Sequence, residues 1–204
     1  MWRMPSATTP SENADEADEA DEPLMLRYAA GDIAAFDTLY ARHEPGVWRY
    51  VFRSVRVQAV ADDLLQDVWF SVARQAPTYE VKARFRTWLF TMAHNRVIDH
   101  FRTAKNHVRL GDEDPDTEGS LADTLAADSG FGPVRQLESR EQAAALIAAV
   151  EQLPADQRET FLLQAEAGMN VQEIALATGV NFETAKSRLR YARRSLRQLL
   201  QEFA

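Results

Sequence analysis

Apolar positions recur along this chain at intervals of three and four and nowhere alternate convincingly, so the pattern predicts helices and no strand. Phe36, Leu39, Tyr40 and His43 open one stripe. It breaks near Pro45–Gly46 and resumes at Val47, Tyr50 and Val51. Ala61–Gln75 forms a second helix and Arg84–Arg102 a third. Leu146, Val150 and Leu153 mark another ahead of Pro154, and Phe161, Leu162 and Ala165 the next ahead of Gly168. Between these blocks the periodicity fades into Asp, Gly, Ser and Pro, the signature of a linker. No internal repeat is evident.

The last stretch is the most informative. In VQEIALATGVNFETAKSRLRYARRSLR, Ala185, Leu189, Ala192, Leu196 and Leu199 line one face of a helix. Lys186, Arg190, Arg193 and Arg197 follow the same rhythm on another face. Gly179 supplies a tight turn after Ile174–Thr178, and Asn181 is suited to cap the helix that follows. A helix-turn-helix whose second helix presents arginines fits a DNA major groove. The plainer reading is an amphipathic surface helix with solvated charges.

Two other helices carry unusual faces. In ADDLLQDVWFSVARQ, Leu65, Val68, Trp69 and Val72 make the expected buried set. Beside it run Asp63, Gln66, Asp67 and Phe70, a stripe of acids, an amide and a large aromatic. A basic helical partner would match that stripe by charge and by an aromatic anchor. Alternatively the acids are only solvated and Phe70 folds into the core. In RFRTWLFTMAHNRVIDHFR, Phe85, Trp88, Leu89 and Met92 make the core stripe. Phe90, His94, Asn95 and Phe101 lie elsewhere, interleaved with Arg86, Arg96 and Arg102. Such a surface can stack unpaired bases and track phosphates, and Asn95 can pair with a base edge. Aromatics at helical spacing are also ordinary core residues, so both readings stand.

Charge changes the picture through its distribution. The 204 residues carry a net charge of −8, which argues superficially against nucleic acid. Met1–Pro23 and Gly111–Arg135 each hold seven acids and one base, so the rest of the chain is net +4. Lys82–Arg109 has seven bases and one acid, and Asn181–Arg197 six and one. Local fields govern DNA contact, and these two basic elements lie between acidic stretches. The ENADEADEADE run is too poor in apolar residues to pack.

Several function classes drop out. No apolar run reaches the ~18 residues of a membrane span, and the N-terminus lacks a secretion signal, so a cytoplasmic protein without membrane insertion is expected. The absence of cysteine excludes disulfides and thiolate metal sites and suits a reducing compartment. His94 and His100 fall on different helix faces, and there is no HExxH, Gly-rich phosphate loop or GxSxG turn. Neither a catalytic residue, a metal site nor a cofactor is expected. The histidines fit core, capping or phosphate-contacting roles.

Taken in order, FDTLYARHEPGVWRYVFR, DDLLQDVW, FRTWLFTMAHNRVIDHFR, LPADQRETFLLQ and VQEIALATGVNFETAKSRLRYARRSLR resemble the bacterial RNA polymerase sigma factors, specifically the extracytoplasmic-function group. The resemblance covers nearly everything from Leu24 to Leu200. It implies an all-α fold of two small helical domains joined by a flexible acidic linker. Residues 1–23 would be a disordered acidic extension, 24–107 the region 2 bundle, 108–135 the linker and 136–204 the region 4 helix-turn-helix.

The implied function is that of an alternative sigma factor, which binds core polymerase, recognises two promoter elements and directs transcription initiation. Asp63, Gln66, Asp67 and Phe70 would dock on a helical hairpin of the largest core subunit. Arg84, Arg86, Asn95, Arg96 and Arg102, with the Gln75–Arg84 loop, would serve the minus-ten element, where prying out a base costs a few kcal/mol. Thr184, Lys186, Ser187, Arg188, Arg190, Tyr191 and Arg193 would face the minus-thirty-five element. Many relatives carry Arg where this chain has Tyr191, a departure that bears on the contact pattern there. An anti-sigma partner is implied by the same resemblance. The rival reading is a conventional dimeric helix-turn-helix regulator binding a palindrome, which leaves DDLLQDVW and the arginine–aromatic helix without a role.

Overall fold

The computed structural model describes residues 20–109 and 133–201, so the acidic extension up to residue 19 and most of the expected linker lie outside it. Among the described residues every regular element is helical. The first lobe contains α1 (Asp21–Ala29), α2 (Ile33–Val55), α3 (Gln58–Gln75), a 3-10 turn at Ala76–Thr78 and α4 (Phe85–Arg109). The second contains α5 (Pro133–Glu151), α6 (Ala155–Ala167), α7 (Val171–Thr178) and α8 (Phe182–Gln201). None of these helices is long and apolar enough to cross a membrane.

Asp32 starts α2 by accepting the Ala34 and Ala35 N–H groups at 3.1 and 3.4 Å. Arg27, near the end of α1, grips the same carboxylate at 2.9 and 2.7 Å, which fixes the angle between the two helices. Asp21 bonds His43 at 2.8 Å and also pairs with Arg42, while Glu22 accepts the Phe85 N–H at 2.7 Å and caps α4. Helix α1 thus takes in Asp21–Pro23, the end of the stretch expected to be disordered, and both of its acids have tertiary partners.

The sequence pattern breaks α2 at Pro45, but the helix runs through it. Proline removes one helical hydrogen bond and crowds the preceding turn, at a cost of ~3 kcal/mol. Leu39, Val47, Tyr50 and Val51 on either side are fully buried, and that packing outweighs the penalty. Gly46 beside it is where other elements approach: a Cβ there would lie 3.6 Å from the Phe90 ring and 4.0 Å from the Glu166 carbonyl oxygen.

In the first core, Trp69 lies 5.7 Å edge-on from Phe36 and 4.9 Å from Tyr40, and Phe36 lies 4.8 Å from Tyr28. Such aromatic pairs each add about 1 kcal/mol beyond area burial. The second core is built from Leu153, Leu162, Leu163, Ile174, Leu189 and Leu196, all buried. Gly168 (φ +62°) and Gly179 (φ +67°) end α6 and α7 in the left-handed conformation that lets the chain turn sharply. The α5 helix starts at Pro133, so the helical second lobe takes in the last residues assigned to the linker.

The two lobes touch. α2 and α4 of the first pack against α6 and α7 of the second, with Arg49 and Arg53 pairing with Glu166, Arg84 with Glu173 and His94 with Glu159.

Candidate nucleic-acid interface

The α3 helix has two faces of opposite character. Leu65, Val68, Trp69 and Val72 are buried, while Asp63, Gln66, Asp67 and Phe70 all lie exposed. Phe70 is 65 % exposed, so it does not fold into the core. The phenyl ring stands exposed beside the Asp63 and Asp67 carboxylates, a pairing that offers a basic partner an aromatic anchor.

The α4 helix corrects part of the sequence reading. Phe90 and His94, read as lying off the core stripe, are buried, whereas Trp88 and Met92 are only partly covered. Phe90 meets Tyr50 edge-on at 5.7 Å, and His94 Nδ1 lies 3.0 Å from Glu159 and 3.4 Å from the Tyr50 hydroxyl. Burial, with the Glu159 charge adding to it, pushes the Tyr50 hydroxyl well above its ordinary range. α4 is covered from two sides, by the first lobe's own helices and by α6 and α7, so its buried surface is wider than one stripe.

The cations expected to face the minus-ten strand are arranged differently from one another. Arg102 is exposed and pairs with Asp99 at 2.9 Å. Asn95 is exposed on the same helix, and Phe101 is 46 % exposed. Arg96 is half-buried and donates to Ser71 Oγ at 2.8 Å, which ties α4 to α3. Arg84 reaches Glu173 at 2.8 Å and the Gly168 carbonyl oxygen at 3.2 Å, and Arg86 donates to the Glu166 carbonyl oxygen. The Ala76–Arg84 loop borders a cavity of about 180 Å³ lined by Gln75, Thr78, Tyr79, Glu80, Lys82 and Trp88. Burial, helped by Glu22 and Asp21, pushes the Tyr79 hydroxyl up to about 12, and its buried oxygen has no protein partner.

In the second lobe Asn170 and Glu173 form a reciprocal cap on α7, each side chain satisfying the other's backbone N–H. Burial pushes the Glu173 carboxyl up, but the Asn170 N–H, Arg84 and Thr87 bonds outweigh it and hold the group below its ordinary range. Asn181 caps α8 through the Thr184 N–H at 2.8 Å. On α8 the apolar set Ala185, Leu189, Ala192 and Leu196 is buried against α6 and α7. Lys186, Arg190, Tyr191, Arg193, Arg194 and Arg197 point outward. Thr184 and Ser187 are partly covered at the edge of that face. Arg190 lies over the Tyr191 ring at 5.0 Å. Arg188 is mostly covered and pairs with Asp156 of α6, and Arg193 donates to Gln164 at 2.7 Å.

Sequence reasoning missed Arg49, Arg53, Glu159, Glu166 and Thr87, which carry the contact between lobes. One signal was present: Glu159 and Glu166 lie seven apart, and two turns apart on a helix means one face. No local period, however, names a partner that lies from 65 (His94 to Glu159) to 117 (Arg49 to Glu166) positions away. Among the described residues no group of His, Asp and Glu side chains is arranged to hold a metal ion.

These features match known proteins. A family model described as Sigma-70 region 2 matches residues 39–107, and one described as Sigma-70, region 4 matches residues 143–196. The chain is 34 % identical to RNA polymerase sigma factor CarQ of Myxococcus xanthus, over 87 % of this chain and 96 % of that one. It is 32 % identical to the ECF RNA polymerase sigma factor SigM of Mycobacterium tuberculosis, over 90 % and 86 % respectively. The fold resembles that of the sigma factor RpoE in its complex with the anti-sigma factor NepR from Bartonella quintana, with a TM-score of 0.60 at 22 % identity, covering 81 % of this chain and 96 % of that one. It equally resembles CnrH in complex with the cytosolic domain of CnrY, with a TM-score of 0.60 at 23 % identity, covering 91 % and 100 %. With a buried scaffold that holds an acid–aromatic stripe on one lobe and a cationic helix on the other, the chain belongs to the extracytoplasmic-function group of bacterial RNA polymerase sigma factors.

Proposed function

We propose that this chain is an alternative sigma factor in which the α3 stripe grips core polymerase and the two lobes divide the promoter between them. Residues 24–107 serve core binding and the minus-ten element, and residues 136–204 the minus-thirty-five element. The observation that carries the reading is the exposed stripe of Asp63, Gln66, Asp67 and Phe70, opposite a fully buried apolar face on the same helix. A dimeric operator-binding regulator would have no use for it.

The chemistry is binding energy, with no bond made or broken. Asp63 and Asp67 steer a basic helical partner and Phe70 anchors it in a dry contact. Tyr79, Lys82 and Trp88 around the 180 Å³ cavity offer stacking and a phosphate contact to an extruded base. Arg84, Arg86, Asn95, Arg96 and Arg102 serve the same strand, Arg96 by holding α4 on α3. In the second lobe Lys186, Arg190 and Tyr191 face the major groove, with Thr184, Ser187, Arg188 and Arg193 at its edges. Core polymerase sets the spacing of the lobes, so neither needs high affinity alone. Control by an anti-sigma protein completes the reading, and the sigma factor RpoE, of similar fold, is described in a complex with the anti-sigma factor NepR.

The test is co-elution with sigma-free core polymerase. Wild-type chain should co-elute, and the Asp63→Lys, Asp67→Lys double variant should not while keeping its helical content and melting temperature. Co-elution of the folded double variant would remove the docking assignment.

A further inference from the structure

The ENADEADEADE run ends on a residue that packs. Glu22 lies in the first turn of α1, and its carboxylate crosses the first lobe to accept the Phe85 N–H at 2.7 Å. That N–H belongs to the first residue of α4, one of the donors that a helix cannot satisfy within itself. The residues just ahead of it, Lys82, Ala83 and Arg84, offer no acceptor side chain. Arg84, at the capping position, also carries the wrong charge for a helix N-terminus. A cap for α4 therefore has to come from a distant element, and α1 supplies it.

The same N–H marks where the Ala76–Arg84 loop enters α4. Residues 80–84 are all exposed, and the backbone bonds of the loop run to near neighbours: Tyr79 N–H to the Ala76 carbonyl at 3.1 Å, and Lys82 N–H to the Glu80 carbonyl at 2.9 Å. Its ring contacts lie at Tyr79, which meets Trp88 edge-on at 5.0 Å and Phe85 at 6.4 Å. Tyr79 and Trp88 are two walls of the cavity of about 180 Å³ assigned to an extruded base. α1 touches both the 3-10 turn and α4, and the charges of Glu22 and Asp21 reach the buried Tyr79 hydroxyl. Asp21 anchors this end of α1 on His43 of α2, whose ring lies 5.4 Å from Phe85.

We propose that Glu22 is a positioning residue for base capture: by capping α4 from α1, it fixes where the loop joins that helix and holds the Tyr79–Trp88 cavity in shape before DNA arrives. Glu22 itself touches no DNA. Stacking walls and a cation for the captured nucleotide remain the work of Tyr79, Trp88 and Lys82, and Glu22 adds their preorganisation. The inference rests on the assignment of that cavity given above, and it gives the last acid of the run a task.

Hydrogen exchange of the full chain reads the cap, and fork-junction DNA bound to reconstituted holoenzyme reads the capture. The DNA comes from a promoter recovered by transcription of genomic DNA. It carries 2-aminopurine at each unpaired minus-ten position in turn, whose fluorescence rises when the base leaves the stack. In Glu22→Ala the amides of residues 79–85 should exchange about tenfold faster. The holoenzyme should bind the fork about tenfold more weakly, as expected if the loop then spends one part in ten in the competent shape. Affinity for core polymerase should stay that of wild type. Glu22→Gln keeps an acceptor oxygen and should recover most of both losses. Unchanged exchange in Glu22→Ala would overturn the cap. An equal loss of core binding, or no recovery in Glu22→Gln, would overturn the positioning role. Faster exchange with full capture would overturn it too, and Trp88→Ala then separates the two claims: weakened capture there retains the cavity assignment, and unchanged capture removes that as well. Should Glu22→Ala lose its helical content, Glu22→Asp, with the charge kept and the reach shortened, must show the same two losses in smaller measure for the proposal to stand.

Discussion

Truncation of Phe70 to alanine separates binding from folding more cleanly than any other change in the first lobe. A phenylalanine side chain offers about 200 Å² of apolar surface, and 65 % of this one faces solvent. A partner that buries the exposed part removes about 130 Å², worth about 3 kcal/mol at ~25 cal/mol per Å². Phe70→Ala should therefore weaken core binding on the order of a hundredfold. The third of the ring already covered is about 70 Å², so the loss of folding stability should stay below about 2 kcal/mol. Titration of labelled chain with core polymerase gives the affinity, and thermal unfolding followed by circular dichroism gives the stability. Affinity within twofold of wild type would refute the anchor role. A drop in stability well beyond 2 kcal/mol would instead make Phe70 a core residue in solution, contrary to its exposure.

Arg188→Ala should lower promoter-specific transcription at least tenfold without loss of core binding; since Arg188 also pairs with Asp156, an equal loss in Asp156→Ala would assign the effect to packing inside the second lobe. Removing one outward cation of α8, as in Lys186→Ala or Arg190→Ala, should reduce the log–log salt slope of promoter binding by about 0.9, and an unchanged slope would mean that side chain meets no phosphate. Acid should loosen α1. Burial pushes the Asp21 carboxyl up, but the hydrogen bond and charge of His43, with those of Arg42, outweigh it and hold the group below 3.8. A depressed carboxyl stabilises the fold above its unfolded value and loses that contribution as pH falls through the lower, folded one. Asp21→Asn should cost about 1 kcal/mol near neutral pH, and in chemical denaturation the difference from wild type should shrink as pH falls below 3.8 and vanish only below the lower, folded value. A difference that persists in acid would contradict this pairing.

The parts of the fold legible in the sequence are those set by local period and local capping. The two faces of α3, the turn at Gly179, the Asn181 cap and the apolar seam of α8 follow from spacings of three and four and from side chains within a turn of each other. What local pattern could not give depends on distant partners. Phe90 and His94 look peripheral on α4 because the helix that covers them, α6, lies some 65 positions away. Pro45 reads as a break because its cost is local and the packing that offsets it is not. The order of α1 from Asp21 likewise rests on Arg42, His43 and the N-terminus of α4. Of the candidate site, the exposure of Asp63, Gln66 and Asp67 and the outward set on α8 were readable, while for Phe70 the pattern left surface and core both open. The engagement of Arg84, Arg86, Arg96, Arg188 and Arg193 with protein partners was not, since charge alone does not say what a cation faces.

Transcription of fragmented genomic DNA by sigma-free core polymerase, with and without the purified chain, tests the central claim most directly. The account predicts new transcripts whose start sites share an upstream element in two parts, lost in Asp63→Lys, Asp67→Lys. Folded chain that supports no such transcripts and does not bind core polymerase, yet retains a palindromic operator on its own, would contradict it.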